Sequence, residues 1–324
     1  MSEKPVTTER KQFCQVPIKI IVRYGNSIPF EIFLKLSDNK MVRISNKEEN
    51  VKETIVKYIN KGVKEVYANQ DDYNFFIEEI NRELTINFFN PETSHESRLE
   101  MMQMGLDLLH ASFQRVGPKE ASFKLASTLS KRTTELLKGQ ANLDELYTKY
   151  KNSCQHEFIK SIFISACVVA MIETFDWQTD QAKERAVQSI LMRDISLSPD
   201  DIAELHRLDG QWDELKEHIY NHPIITAKIL NPENAVKLFA QDVITVIEQH
   251  HERPDGKGFP NKLDHKRIIL LAAIHIVADS YVHEMIKVQF SMEKKLDVLE
   301  WMRDEFKKGN YRKAFDALEI ILRK

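Results

Sequence analysis

Cysteine, basic surplus and long apolar runs are all scarce in this 324-residue chain, and each scarcity excludes a class of protein. Cys14, Cys154 and Cys167 are three in number and have no metal-ligand spacing, which fits a reducing compartment rather than a disulfide scaffold. Lysine and arginine number 46 against 49 acidic residues, a net charge of −3, so there is no basic footprint for double-stranded nucleic acid. No apolar run reaches the length of a membrane span, and Met1-Ser2-Glu3-Lys4-Pro5 opens without a signal-peptide core, so the expected location is the cytoplasm. Internal repeats, low-complexity tracts, a phosphate-binding glycine loop and a nucleophile elbow are likewise missing. The chain does have 42% hydrophobic residues and enough length for about two domains, each with its own core.

The most informative stretch is His250-His251-Glu252-Arg253-Pro254-Asp255-Gly256-Lys257-Gly258-Phe259-Pro260. Val243, Val246 and Ile247 recur at helical spacing and the two histidines continue their stripe, which predicts a helix whose last imidazoles face inward. Asp255, Gly256, Gly258 and Pro260 then predict a turn. A buried histidine pair can be core residues bonded to the backbone, so other residues must decide. Asp194 follows Val187, Ile190 and Leu191 on one helical face, and Asp279 ends the apolar run Ile268–Ala278. A carboxylate facing a core needs a cation or a strong donor. His222 precedes Pro223 at a predicted helix entrance. Asp194 to His222, His222 to His250 and His251 to Asp279 each span 28 residues, room for about two helices and a turn, so these groups can converge in one bundle. Three imidazoles and two carboxylates suit iron, manganese or zinc better than calcium or magnesium. Two transition-metal ions are expected, with iron first and manganese or zinc as alternatives.

These segments resemble the HD-GYP domains, metal-dependent phosphodiesterases of bacterial signalling that act on cyclic di-GMP. The likeness covers about residues 147–324. His250-His251-Glu252 with Asp255-Gly256-Lys257-Gly258-Phe259-Pro260 is similar to the family's HHExxDGxGYP signature. His222-Pro223 resembles its HPxxG element, with Thr226 in place of the glycine, and Ala278-Asp279-Ser280-Tyr281 its ADxY element. The resemblance implies metal ligands at Asp194, His222, His250, His251 and Asp279, with Asp194 as the bridge between two ions. A sixth, Glu157, comes from an ungapped alignment that puts Ser161 at the family's usual histidine; His156 is the alternative. Glu252 is expected to order the ligands from behind, and His275 to be core or to do the same.

The chain also departs from the family. Arg193-Asp194-Ile195-Ser196-Leu197 stands where the family has His-Asp-x-Gly-Lys, so a histidine ligand and a phosphate-contacting lysine are gone. Phe259 replaces a tyrosine, Ala273 stands where an arginine is usual, and no RPYR-like segment follows Asp279. Arg193 and Lys257 are the candidate phosphate contacts, although Arg193 reads more readily as a surface residue.

Upstream, Ile18–Val22, Phe30–Leu34 and Met41–Ile44 read as strands, Glu49–Asn60 and Tyr73–Leu84 as helices, and Val63–Tyr67 as a strand between them. The expected architecture is mainly α: a C-terminal HD-type helical bundle preceded by a small α+β N-terminal domain and a helical linker. Its expected limits are a flexible start at 1–11, an α+β module at 12–96 that is either a structural appendage or a regulatory or partner-binding unit, a linker at 97–146 interrupted at Gly117-Pro118, and the metal-binding domain at 147–324.

Two functions follow. One is hydrolysis of cyclic di-GMP or a related phosphodiester through a binuclear centre, in which a metal-bound water loses its proton near neutral pH and attacks phosphorus. The other is an inactive signalling protein that keeps its metal and binds a protein partner through an exposed Gly256–Pro260 turn.

Overall fold

The computed structural model describes residues 12–16, 18, 21–22, 28–37, 40–47, 50–63, 65–115, 117, 119–138, 145–146, 156–208, 210–231 and 239–323. The flexible start expected at 1–11 lies outside the described residues, as does His156's side chain. Among them, β1 (Phe13–Val16), β2 (Ile32–Ser37), β3 (Lys40–Ser45) and β4 (Val66–Asn69) form one antiparallel sheet in the order β1-β4-β2-β3. The first strand is not the one the sequence predicts. Cys14 pairs with Ala68 and Val16 with Val66, whereas Ile18, Ile21 and Val22 are helical. Strand propensity alone favours the isoleucine-rich run; pairing with β4 selects the segment before it.

Helix α1 (Lys52–Asn60) precedes β4, and α2 (Gln70–Ile86) follows it at once. Asn69 caps α2 by accepting the Asp71 N–H at 2.9 Å. Tyr73, Phe76, Ile77, Ile80 and Leu84 recur at three- and four-residue intervals and are all buried, and Phe30 meets Phe76 edge-on at 5.3 Å.

Two long helices come next, α3 (His95–Arg115) and α4 (Glu120–Leu137), broken at Gly117, whose φ of 82° only glycine adopts readily. Pro118 lies outside the described residues. The chain divides into two compact units within these helices: one takes residues up to Asn87 together with Met104–Leu125, the other takes Phe88–Gln103 and everything from Ala126 onward.

The second unit is helical. Its centre is α5 (His156–Ile172), apolar almost all round and buried from Phe158 to Ile172 except at Ser161, which packs against α6 (Asp180–Met192), α11 (Leu270–Lys287) and α13 (Gly309–Leu322). Thr179 caps α6, and Ser198 with Asp201 forms a capping box at α7 (Pro199–Arg207). The short α8 (Glu217–Tyr220) leads into α9 (His222–Leu230), and α9 packs on α10 (Gln241–Gln249), which also touches α6 and α11. Helix α12 (Lys295–Arg303) completes the set of thirteen among the described residues. The chain is thus mainly α with a small N-terminal sheet. No helix among the described residues is long and apolar enough to cross a membrane. Cys14 and Cys167 are buried as free thiols, and burial pushes both up to about 12.

Candidate metal centre

Three helix ends bring the site together. Asp194 stands two residues past the end of α6, His222 opens α9, and His250 and His251 directly follow α10. Carbonyls near the C-terminal ends of helices can accept further hydrogen bonds, and two of them orient the imidazoles. His222 Nδ1 donates to Ile219 O and His250 Nδ1 to Ile247 O, each at 2.6 Å. A carbonyl only accepts, so both Nδ1 atoms carry the proton and both Nε2 atoms carry a lone pair.

Those lone pairs face each other. The Nε2 atoms of His222 and His250 are 3.2 Å apart, and Asp194 Oδ1 lies 3.3 Å from the first and 3.6 Å from the second. His251 Nε2 and Asp194 Oδ1 are buried and have no hydrogen-bond partner. One donor atom from each of Asp194, His222, His250 and His251 falls within 4.8 Å of every other. Two nitrogens about 2.0–2.1 Å from one tetrahedral ion lie about 3.3 Å apart, so the donors fit a divalent transition metal.

Electrostatics favour the unprotonated donors. Burial lowers His250, and burial together with the charges of His250 and His222 holds His251 well below the usual histidine range. Burial would raise Asp194, but with the imidazole Nε2 atoms unprotonated the Arg193 guanidinium, donating to Oδ2 at 3.0 Å, opposes it and holds the carboxyl below its usual range.

The ring of His251 stacks on Phe259 at 4.4 Å and 16°, and Trp212 packs against Phe259 at 5.3 Å. Phe259 is fully buried in a cluster with Leu197, Leu205 and Ile219. This corrects the expected exposed turn at Gly256–Pro260: its aromatic residue is core, and a Cβ on Gly258 would meet the backbone of His251, Glu252 and Arg253 at 2.5 Å. Lys257 alone of the turn's long side chains is exposed; it is not among the residues lining the cleft over the donors. Glu252 is buried too, but its carboxylate accepts the N–H groups of Asn261 at 2.8 Å and Leu263 at 2.7 Å. It fastens the turn rather than the ligands.

Arg193 is not a surface residue. It is buried, with Nε donating to Asp194 Oδ2 at 3.0 Å, Nη1 to His275 Nε2 at 3.1 Å, and Nη2 3.5 Å from Asp279 Oδ1. Lys160, also buried, places Nζ 3.4 Å from the same Asp279 oxygen. Burial would raise Asp279, but Lys160 and Arg193 hold it far below the usual range. Asp279 therefore stands outside the four-donor cluster, paired to two cations. Glu157 is half exposed, with its carboxylate 3.6 Å from His206 Nδ1. Lys160 escaped the sequence reading; its signal was a lone cation inside the apolar run Phe158-Ile159-Lys160-Ser161-Ile162-Phe163.

Lys160, Arg193, Asp194, His250, His251 and Asp279 line a cleft of about 520 Å³, rimmed by Arg253 and Trp301. With that geometry in hand, comparison with known proteins is informative. A family model for the HD domain matches residues 126–307, more than half of the chain. The chain belongs to the HD domain family. The match starts inside α4, ahead of the limit expected at residue 147. No curated protein matches the sequence. Among solved structures, Bd1817, an HDGYP protein from Bdellovibrio bacteriovorus, is similar with a TM-score of 0.55 and 16% identity, over 97% of this chain and all of that one. At that identity the likeness is one of fold, and it is the HD-GYP-like fold expected from the sequence.

Proposed function

We propose that this HD protein is a metal-dependent phosphodiesterase whose substrate is cyclic di-GMP or a related phosphodiester. The observation that carries the reading is the convergence of four donors, two with lone pairs 3.2 Å apart, of which Asp194, His250 and His251 line an open cleft. Iron, manganese and zinc all suit three imidazoles and a carboxylate. Such an ion supplies Lewis acidity and a nucleophile at neutral pH. Cyclic di-GMP is the first substrate to test because of the Asp255-Gly256-Lys257-Gly258-Phe259-Pro260 likeness.

The chain's own residues set the charge of the cleft. The outer lining of the cleft is acidic, Glu157, Glu252, Glu284 and Glu305 against Arg253 and Lys287, whereas at its floor Asp194 and Asp279 are matched by Arg193 and Lys160, so an ion would make the floor locally positive. That suits a phosphodiester, which carries one negative charge. Arg193 holds Asp194 so that Oδ1 faces the histidines, and the buried Ile219 and Ile247 carbonyls fix the imidazoles. In this reading residues 147–324 carry the chemistry and the N-terminal α+β module regulates it.

The test is hydrolysis of cyclic di-GMP and of bis(p-nitrophenyl) phosphate by protein loaded with Fe²⁺, Mn²⁺ or Zn²⁺. Turnover lost in Asp194→Ala supports the reading. Metal-loaded protein that cleaves neither compound refutes it. A second reading, a metal-bearing signalling protein without turnover, is favoured by the engagement of Asp279 with Lys160 and Arg193. It expects cyclic di-GMP to bind and remain intact.

A further inference from the structure

Asp194 divides its carboxylate between two environments. Oδ1 faces the imidazole nitrogens of His222 and His250, while Oδ2 accepts from the guanidinium of Arg193. A carboxylate used in this way sits between two centres of positive charge, one an ion site and the other a side chain.

The far side of the guanidinium makes one hydrogen bond and one longer ion pair, and Asp279 Oδ1, the atom in that ion pair, has no hydrogen-bond partner. Nη1 meets His275 Nε2 at 3.1 Å and Nη2 approaches Asp279 Oδ1 at 3.5 Å. Guanidinium nitrogens donate and do not accept, so His275 Nε2 is the acceptor. The three atoms that could begin a second ion's shell are Asp194 Oδ2, His275 Nε2 and Asp279 Oδ1, and all three are turned toward Arg193. Lys160 adds an ammonium 3.4 Å from Asp279 Oδ1. A divalent ion would have to enter beside two fixed positive charges in a buried setting, where repulsion is weakly screened. Arginine cannot give up its proton to make room, and being buried it cannot swing to solvent without stranding both carboxylates.

We infer that Arg193, backed by Lys160, takes the place of a second cation between Asp194 and Asp279, so that the centre holds a single divalent ion. The inference rests on the metal-centre reading above and deepens it. Arg193 is then a positioning residue: it neutralises Asp279, aims Asp194 and fixes the stoichiometry.

The experiment is to load chelator-stripped protein with excess Mn²⁺, remove unbound ion, and measure manganese per chain together with the electron paramagnetic resonance spectrum. One ion per chain is expected, with the hyperfine pattern of an isolated Mn²⁺. Two ions sharing a carboxylate couple magnetically, so two ions and a coupled spectrum in the wild type overturn the inference while leaving the metal-centre reading intact. No bound ion in the wild type fells that reading, and this one with it. The second arm compares Arg193→Lys with a double variant, Arg193→Met and Lys160→Met. The lysine variant should stay at one ion. The double variant frees Asp194 Oδ2, Asp279 and His275 and should take up a second ion with a coupled spectrum; if it is folded by circular dichroism and stays at one, Arg193 is not what excludes the second.

Discussion

The Nε2 atoms of His222 and His250 face each other at 3.2 Å, each ring pinned through Nδ1 to a carbonyl three residues back. Neither nitrogen can donate to the other while both rings are neutral, and burial lowers His250, which disfavours a shared proton. A cation relieves the opposition, so ion binding and folding are coupled here.

Metal should therefore raise thermal stability. An ion at about 100 times its dissociation constant adds about 2.7 kcal/mol. Wild type should melt higher with Mn²⁺ or Zn²⁺ than with a chelator, and His250→Ala should abolish most of that difference. Equal shifts in both proteins would place the ion elsewhere.

Acid should weaken the metal-free protein. His250, His251 and His275 have folded values below the usual ~6.5, so they take up protons more readily when unfolded. Stability is full above that value and falls as pH drops through it. Asp194 and Asp279 are also lowered, so their contribution holds above about 4 and is lost as pH falls toward their folded values. The urea midpoint of chelated protein should decline from pH 7 to pH 5 and again below about 4. A midpoint that rises or stays flat over the first interval contradicts the histidine environment described here.

Glu252 should matter for stability more than for the ion. Glu252→Ala leaves the Asn261 and Leu263 N–H groups without their acceptor, at a cost of about 1–3 kcal/mol. Metal per chain should be unchanged, because the carboxylate does not touch the donor cluster. Loss of metal from a protein that is still folded would show that Glu252 acts on the ligands.

Phe259→Ala removes a fully buried ring that stacks on His251, and large-to-small changes of this kind cost about 3–5 kcal/mol. Gly258→Ala should also destabilise, since its Cβ can be placed only by moving the backbone of His251, Glu252 or Arg253. Both variants should bind the ion more weakly, as His251 loses its support. Isothermal titration of apo protein with Mn²⁺ measures this, and wild-type affinity in either variant counts against it.

Much of the donor set could be read directly from the sequence because its residues break apolar stripes. Asp194, His222 and His250 interrupt helical faces that are otherwise core, and the cost of burying them bare points to a partner. Arg193 and Lys160 were harder to read, because long cations are mostly exposed and only the fold shows which are not. Glu252 hid for another reason: its partners lie nine and eleven residues on, and only the path of the turn brings them near. The first strand was misplaced since a pairing partner more than fifty residues away, not local propensity, selects it. The unit boundaries inside α3 and α4 had no sequence signal, for the helices run through them unbroken.

The cation between Asp194 and Asp279 is part of the polypeptide. It is inherited with the gene and arrives with translation, so no chelator can extract it and no competing element can displace it. Stripping a metal from the histidine cluster would leave this charge in place, ready to hold Asp194 for whatever ion arrives next.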